Sequence, residues 1–298
     1  MSTKRVLLTG SDGQLGQALR QSVPAEIELI AVGRSELDLA DATACHQAVM
    51  DLRPDWVLNG GAYTAVDKAE TEPELAEAVN AGAPEAFAQA LAETGGRLLQ
   101  VSTDFVFNGC QGTPYLPGQP MDPLGVYGSS KAHGEQRASQ AMPQDRCCIL
   151  RTSWVYGPVG KNFCLTMLRL HRLKAEAGEP LAVVADQVGC PTSTLTLARA
   201  CWSLVQRDIS GVYHWSDAGS ASWYDFAVAI GTQGAAQGLI EKAARVVPIR
   251  TSDYPTPATR PGYSLLECTA TRTALDLPPL HWQEALDQVL AAIPPAQS

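Results

Sequence analysis

Apolar positions change period along the chain, and each change marks an element. Residues 5–9 (RVLLT) form a short unbroken apolar run closed by Gly10, which predicts a strand buried on both faces. Leu15, Leu19 and Val23 follow at helical spacing. Residues 27–32 (IELIAV) predict a second strand, and Trp56, Val57 and Leu58 after Pro54 a third. A long helix is expected over 73–93, with Leu75, Ala78, Val79, Phe87 and Leu91 on its apolar face. Strands at 97–102 (RLLQVS) and 148–152 (CILRT) follow, separated by a helical segment after Leu124. Strands alternating with helices predict a doubly wound α/β fold, a parallel sheet covered on both faces.

Past residue 155 the pattern loosens. Helices are expected at 162–177, 192–206, 222–237 and 282–293, with short strands at 181–185, 211–215 and 245–249. Loops rich in Pro and Thr interrupt them, as in YPTPATRPGYS from Tyr254. The expected division is a dinucleotide-binding unit over 1–155 and a smaller lobe over 156–298, some of whose segments return to the sheet.

Composition narrows the class. The 298 residues carry a net charge of −9 with 18% charged residues, so no broad positive field is available for nucleic acid or an anionic membrane. No window approaches the ~18 apolar residues of a membrane span. The opening MSTKRVLLTGSDG reads as a first strand rather than a leader. Eight cysteines without a C-x-x-C pair read as idle thiols of a reducing cytoplasm. Five scattered histidines predict no protein-built metal site.

Three motifs carry chemistry. GSDGQLG places Gly10, Gly13 and Gly16 between a strand and a helix, which allows a tight turn, close approach of the backbone to a pyrophosphate, and a helix N-terminus facing it. VYGSSKAHGE places Tyr127 and Lys131 one helical turn apart on one face. An ammonium beside a phenol is expected to lower the phenol pKa toward neutrality, so that the pair can pass a proton to a carbonyl oxygen. VSTDFVF places Ser102, Thr103 and Asp104 just past the fourth strand, where ligands of doubly wound sheets sit.

Together these motifs resemble the extended short-chain dehydrogenase/reductase superfamily. The runs NGGAYTAVDKAE, STDFVFNG, RTSWVYG, DQVGCPT and YPTPATRP narrow the resemblance to the dTDP-4-dehydrorhamnose reductase family, over nearly the whole chain. The resemblance implies a Rossmann-type sheet with a smaller C-terminal substrate-binding lobe. It implies reduction of the carbon-4 ketone of dTDP-4-dehydro-L-rhamnose, with Tyr127 as proton donor, Lys131 on the nicotinamide ribose and Thr103 on the reacting oxygen. Ser11, Asp12, Gly13, Gln14 and Leu15 would cover the pyrophosphate, Asp38 and Leu39 would lie beside adenine, and Ala62, Tyr63 and Thr64 under the cofactor. Thr103, Asp104, a buried Trp154, Gln187, Thr192 and Arg260 would hold the sugar nucleotide.

Two positions depart from the expected pattern. Where an NAD-type site carries a carboxylate at the end of the second strand, this chain has Gly33, Arg34 and Ser35. A guanidinium and a hydroxyl suit a 2′-phosphate, so NADPH is expected to be preferred, with NADH accepted. Some members dimerise around a divalent ion held by glutamates, but the matching positions here are Ala18 and Leu195. The expected state is a monomer or a weak homodimer, with a small-molecule substrate and no metal-mediated interface. Three rival readings exist. A 4,6-dehydratase needs an acid after Asp104, where Phe105 stands, and a 4-epimerase consumes no reductant. A non-catalytic NADP-binding regulatory subunit has no need of the Thr103, Tyr127 and Lys131 set.

Overall fold

The short apolar runs at the centre of the sheet become strands because they are covered from both sides. A computed structural model describes residues 3–293, so the outermost residues of the two expected units lie outside the described residues. The first half contains β1 (Lys4–Thr9), α1 (Gln14–Gln21), β2 (Ile27–Val32), α2 (Ala42–Leu52) and β3 (Trp56–Asn59). Short helices α3 (Val66–Ala69) and α4 (Pro73–Glu77) follow, then a π-helical turn at Ala78–Gly82, and α5 (Ala83–Thr94). Next come β4 (Arg97–Thr103), a 3₁₀ turn at Asp104–Val106, α6 (Val126–Ala141) and β5 (Cys147–Thr152). The second half holds β6 (Val155–Tyr156), α7 (Phe163–Ala177), β7 (Leu181–Val184), β8 (Val188–Gly189), β9 (Thr192–Ser193), α8 (Thr194–Gln206) and β10 (Gly211–Trp215). It ends with β11 (Ala221–Ser222), α9 (Trp223–Ala236), β12 (Val246–Ile249), α10 (Thr269–Leu275) and α11 (Trp282–Ala291).

Six strands form one parallel sheet in the order β10-β5-β4-β3-β1-β2. Val6, Leu7 and Leu8 of β1 are fully buried, and all six residues of β5 are buried. One face packs on α1 and α8 through Leu15, Leu19, Leu197 and Trp202. The other packs on α2 and α5 through Cys45, Val49, Phe87 and Leu91. A separate core lies wholly within 156–293, around Tyr156, Phe226, Leu181 and Leu286. The chain leaves β1 outward to β2 and returns on the other side to β3. This reversal opens a crevice beyond the carboxyl ends of β1 and β3, where open α/β sheets take ligands.

The doubly wound sheet is as expected from the alternation, with local corrections. Helix α1 ends at Gln21, so Val23 lies beyond it and is exposed rather than on its buried face. The helix expected over 73–93 runs continuously over 73–94 but carries a π turn, whose extra residue per turn brings the backbone of Asn80 against α6. Ser102 and Thr103 close β4 rather than following it. Helix α2 had no sequence signal strong enough to place it: Cys45 and Val49 are its only buried residues, and Asp41 caps it through Ala44 N.

Candidate active site

The turn after β1 is built from backbone contacts. Gly10 has φ +67°, and a β-carbon there would lie 2.6 Å from Gly61 Cα. A β-carbon on Gly16 would strike the Gly10 carbonyl. Both positions therefore require glycine. Gly13 is the N-cap of α1 and offers no side-chain cap, and the first turn holds no acidic residue. The N–H groups of Gln14, Leu15 and Gly16 are thus free for an anion, helped by the helix dipole. Gln14 ties this helix start to the next segment, donating to the Val155 carbonyl (3.0 Å) and accepting from Asn162 Nδ2 (3.2 Å).

Beside the turn lies a cavity of about 150 Å³ walled by Gly10, Arg34, Asp38, Leu39, Ala62 and Tyr63, among others. Ser35 and Thr64 lie outside its wall. Asn80 fixes Tyr63: its Oδ1 accepts from Tyr63 N (2.9 Å) and its Nδ2 donates to the Tyr63 carbonyl (3.1 Å) and to Ser130 Oγ (3.0 Å). An uncapped helix start, a close glycine pair and a cationic rim at Arg34 fit a phosphorylated dinucleotide.

Helix α6 carries Tyr127 and Lys131. Its N-terminus is capped from another loop, since Val126 N donates to Glu70 Oε1 at 2.9 Å. Tyr127 is half-buried and packs edge-on against Phe105, with ring centroids 5.5 Å apart at 75°. A β-carbon on Gly128 would strike the Phe105 carbonyl, and one on Gly134 would strike the Asn80 carbonyl. Lys131 is buried and donates to the Val101 carbonyl at 2.6 Å. Thr103 Oγ1 donates to Asp104 Oδ1 at 3.0 Å and accepts from Phe105 N at 3.2 Å. Asp104 is buried, and its Oδ2 has no hydrogen-bond partner among the described residues.

The expected lowering of the Tyr127 pKa is corrected. Burial pushes Tyr127 up to about 12; the Thr103 hydroxyl opposes the rise and the Asp104 charge adds to it. Lys131 moves instead: burial brings it down to about 8 against the attraction of Glu135. Its ammonium sits on a carbonyl, so its charge is directed to the strand. Burial also raises Asp104 to about 6, with Ser264 and Thr103 opposing. Tyr127 therefore keeps its proton throughout the neutral range.

Beneath this set lies a buried ion pair. Arg151 Nε reaches both Glu135 oxygens at 3.0 Å and Nη2 reaches Oε2 at 2.6 Å, each side chain 4% exposed. Ser102 Oγ donates to Glu135 Oε1. Arg151 Nη1 also donates to the Pro117 carbonyl (3.0 Å) and to Nε2 of the fully buried His214 (3.4 Å), whose Nδ1 donates to the Tyr115 carbonyl (3.0 Å). Burial and the Arg151 charge push His214 from 6.5 down to about 3. The unfolded chain then takes up this proton below about pH 6.5 while the folded chain does not until about pH 3. Stability present above pH 6.5 is lost as pH falls through that window. The raised Asp104 and Asp217, both near 6, act in the opposite sense. We expect the variant His214→Gln, measured by chemical unfolding at pH 7, 5 and 4, to lose less stability on acidification than the wild type.

A second cavity, of about 490 Å³, is walled by Phe105, Trp154, Gln187, Trp223, Arg260 and Asp67, among others. Trp154 is half-buried rather than a buried wall. It has φ +46° and stacks on Trp223 with centroids 3.5 Å apart and planes within 7°. Gln187 is engaged at both ends of its amide, accepting from Trp223 Nε1 and donating to Thr251 Oγ1, each at 3.1 Å. Arg260 forms a two-pronged pair with Asp67, at 2.9 and 2.7 Å, which joins α3 to the loop before residue 261. Arg260 holds the Asp67 carboxyl below its usual range. Thr192 is fully buried, its hydroxyl has no partner among the described residues, and it does not line the cavity. Asp67 lies within a quoted run but had no role in the sequence reading, and Trp223 gave no signal there.

Ala18 is buried in the core shared with α8, and Leu195 packs on the core of the second half. Seven cysteines are buried and Cys110 is exposed. Among the described residues no helix is long and apolar enough to cross a membrane.

A family model described as RmlD substrate binding domain matches residues 4–294. The chain is 37% identical over 296 residues to a dTDP-4-dehydrorhamnose reductase of Sinorhizobium fredii, covering 97% of each chain. It is 38% identical over 295 residues to one from Aggregatibacter actinomycetemcomitans, covering 96% of this chain and 98% of that one. A crystal structure of dTDP-4-dehydrorhamnose reductase from Bacillus anthracis in complex with NADP superposes with a TM-score of 0.89 at 33% identity, covering 98% of this chain and all of that one. A helix carrying Tyr127 and Lys131, and a cavity fitted to a dinucleotide, thus accompany similarity over nearly the whole chain, and the chain belongs to the dTDP-4-dehydrorhamnose reductase family.

Proposed function

We propose that this chain reduces the carbon-4 ketone of dTDP-4-dehydro-L-rhamnose to dTDP-L-rhamnose, with NADPH as preferred reductant and NADH accepted. The observation that carries this reading is Tyr127, protonated at neutral pH and placed beside Thr103, Lys131 and the Phe105 wall of the larger cavity. A bound dihydronicotinamide supplies hydride to the ketone carbon. Tyr127 donates its phenolic proton to the ketone oxygen, and Thr103 Oγ1 hydrogen-bonds that oxygen. Lys131 leaves the Val101 carbonyl to hold the ribose hydroxyls, and its charge then stabilises the phenolate left on Tyr127.

The turn Gly10 to Gly16 holds the pyrophosphate, Arg34 and Ser35 the 2′-phosphate, Asp38 and Leu39 the adenine side, and Ala62, Tyr63 and Thr64 the underside. Asp104, the stacked Trp154, Gln187 and Arg260 serve the sugar nucleotide, whereas Thr192, fully buried away from the cavity, does not reach it. Gln187 acts by fixing Trp223, and Arg260 reaches a diphosphate while still paired with Asp67. The chain to 155 is the cofactor unit, and 156–298 supplies mainly the substrate side. Ala18 and Leu195 offer no ligand atom, which supports a monomer or weak homodimer without a bridging metal.

The test is turnover of purified protein with dTDP-4-dehydro-L-rhamnose and each reduced cofactor. We expect one NADPH oxidised per sugar reduced, faster than with NADH at equal concentration. Sugar conversion without net oxidation would identify an epimerase, and cofactor binding without turnover would point to another 4-keto sugar nucleotide as substrate or to a regulatory subunit.

A further inference from the structure

Resting on the cofactor assignment above, we propose that Asp12 supplies the carboxylate missing from the end of β2, and that this residue is what admits NADH. NAD-type sites bond the ribose 2′-hydroxyl with an acidic side chain at this strand end. Here the position is Gly33, yet the space its side chain would fill is occupied. A β-carbon on Gly33 would collide with Asp12 Oδ2 and would lie 2.9 Å from Asp12 Cγ and 3.4 Å from Oδ1. The turn after β1 therefore inserts its own carboxylate where an aspartate at 33 would stand, and glycine at 33 leaves room for it.

Asp12 is held in this place. Ser11 N donates to the Val32 carbonyl at 3.1 Å, tying the turn to the last residue of β2, and Ser11 Oγ donates weakly to Asp12 Oδ1 at 3.5 Å. The neighbouring carboxylates are engaged elsewhere: Glu36 Oε2 accepts from Gly33 N at 2.7 Å, and Asp38 Oδ1 accepts from Ala40 N at 3.1 Å. Asp12 Oδ2 accepts no hydrogen bond from the described residues, whereas each neighbouring carboxylate has one oxygen committed to a backbone N–H. A carboxylate would also be an unusual partner for a pyrophosphate, whose charge it repels.

Arg34, the next residue along, is exposed, forms no ion pair among the described residues and lines the first cavity. The two side chains make opposite demands. Asp12 accepts from a 2′-hydroxyl and repels a 2′-phosphate, whereas Arg34 attracts the phosphate and gains little from the hydroxyl.

Binding of NADPH and of NADH, followed by dihydronicotinamide fluorescence without sugar present, separates these roles. Asp12→Ala is expected to weaken NADH about tenfold and to tighten NADPH, and Asp12→Asn to tighten NADPH while retaining part of the NADH affinity. Arg34→Ala is expected to weaken NADPH more than NADH. Equal losses for both cofactors in Asp12→Ala, or unchanged NADH affinity, would overturn the proposal while leaving the cofactor assignment intact. A wild-type protein that binds neither cofactor would overturn both.

Discussion

Replacing Tyr127 with Phe is expected to lower kcat by about 10²- to 10⁴-fold, the range spanned by a positioned general acid. Phenylalanine keeps the edge-on contact with Phe105 and disturbs neither glycine contact of α6, so the loss reports the proton rather than the packing. NADPH binding should be nearly unchanged, because the dinucleotide cradle lies on β1, α1 and the loop after β3. The pH profile sharpens the test. With Tyr127 raised to about 12 and Lys131 lowered to about 8, the first group to leave its working protonation state on raising the pH is Lys131. Wild-type kcat should therefore decline above about pH 8 and stay level from there down to about pH 6, where Asp104 takes up a proton. Turnover of the Phe variant near the wild-type rate would show that the proton comes from another group.

The Arg151→Met variant should lose about 3–5 kcal/mol of unfolding free energy, since it leaves the Glu135 carboxylate buried with only the Ser102 hydroxyl as partner. It also strips the Pro117 carbonyl and His214 of their donor. The double variant Glu135→Gln with Arg151→Met carries no buried charge at this place and should regain most of that loss. Chemical unfolding of the wild type, both single variants and the double variant measures the coupling. Additive losses would show that the pair contributes no mutual stabilisation. The pair lies under the candidate site, because Glu135 is one helical turn beyond Lys131 and its partner Ser102 precedes Thr103 in β4.

Much of this was legible in the chain because it depends on local spacing. The glycines of GSDGQLG stand where β1 turns into α1, and β2, β10 and α7 to α9 start and end within two residues of the positions read from periodicity. What escaped depends on neighbours distant in sequence. Helix α2 buries only two side chains, so its apolar stripe is too thin to stand out. Glu135 and Arg151 are 16 residues apart on a helix and a strand, and Asp67 and Arg260 are 193 apart; neither spacing belongs to a single element. Trp154 read as an isolated wall because its stacking partner Trp223 opens a helix in the other half. The Tyr127 pKa was read with the wrong sign because spacing reveals the nearby lysine but not the loss of solvent. Burial moved both groups, and it moved them in opposite directions.

The approach of α6 to its neighbours at Gly128 and Gly134 also governs how the protein can vary over time. These two positions bracket Lys131 and lie about 9 Å apart along the helix. At each, main chain rests on main chain, against the carbonyls of Phe105 and Asn80. The placement of the Tyr–Lys pair is therefore not delegated to the shapes of surrounding side chains. Core residues such as Ala138 on the same helix and Met142 just beyond its end can drift in size as compensating pairs without carrying the phenol off its mark. The tolerance has a sharp boundary, since alanine at 128 or 134 would shift the whole helix at once. Tolerance of size changes in the interior and intolerance of any side chain at 128 and 134 are thus complementary results of one packing choice.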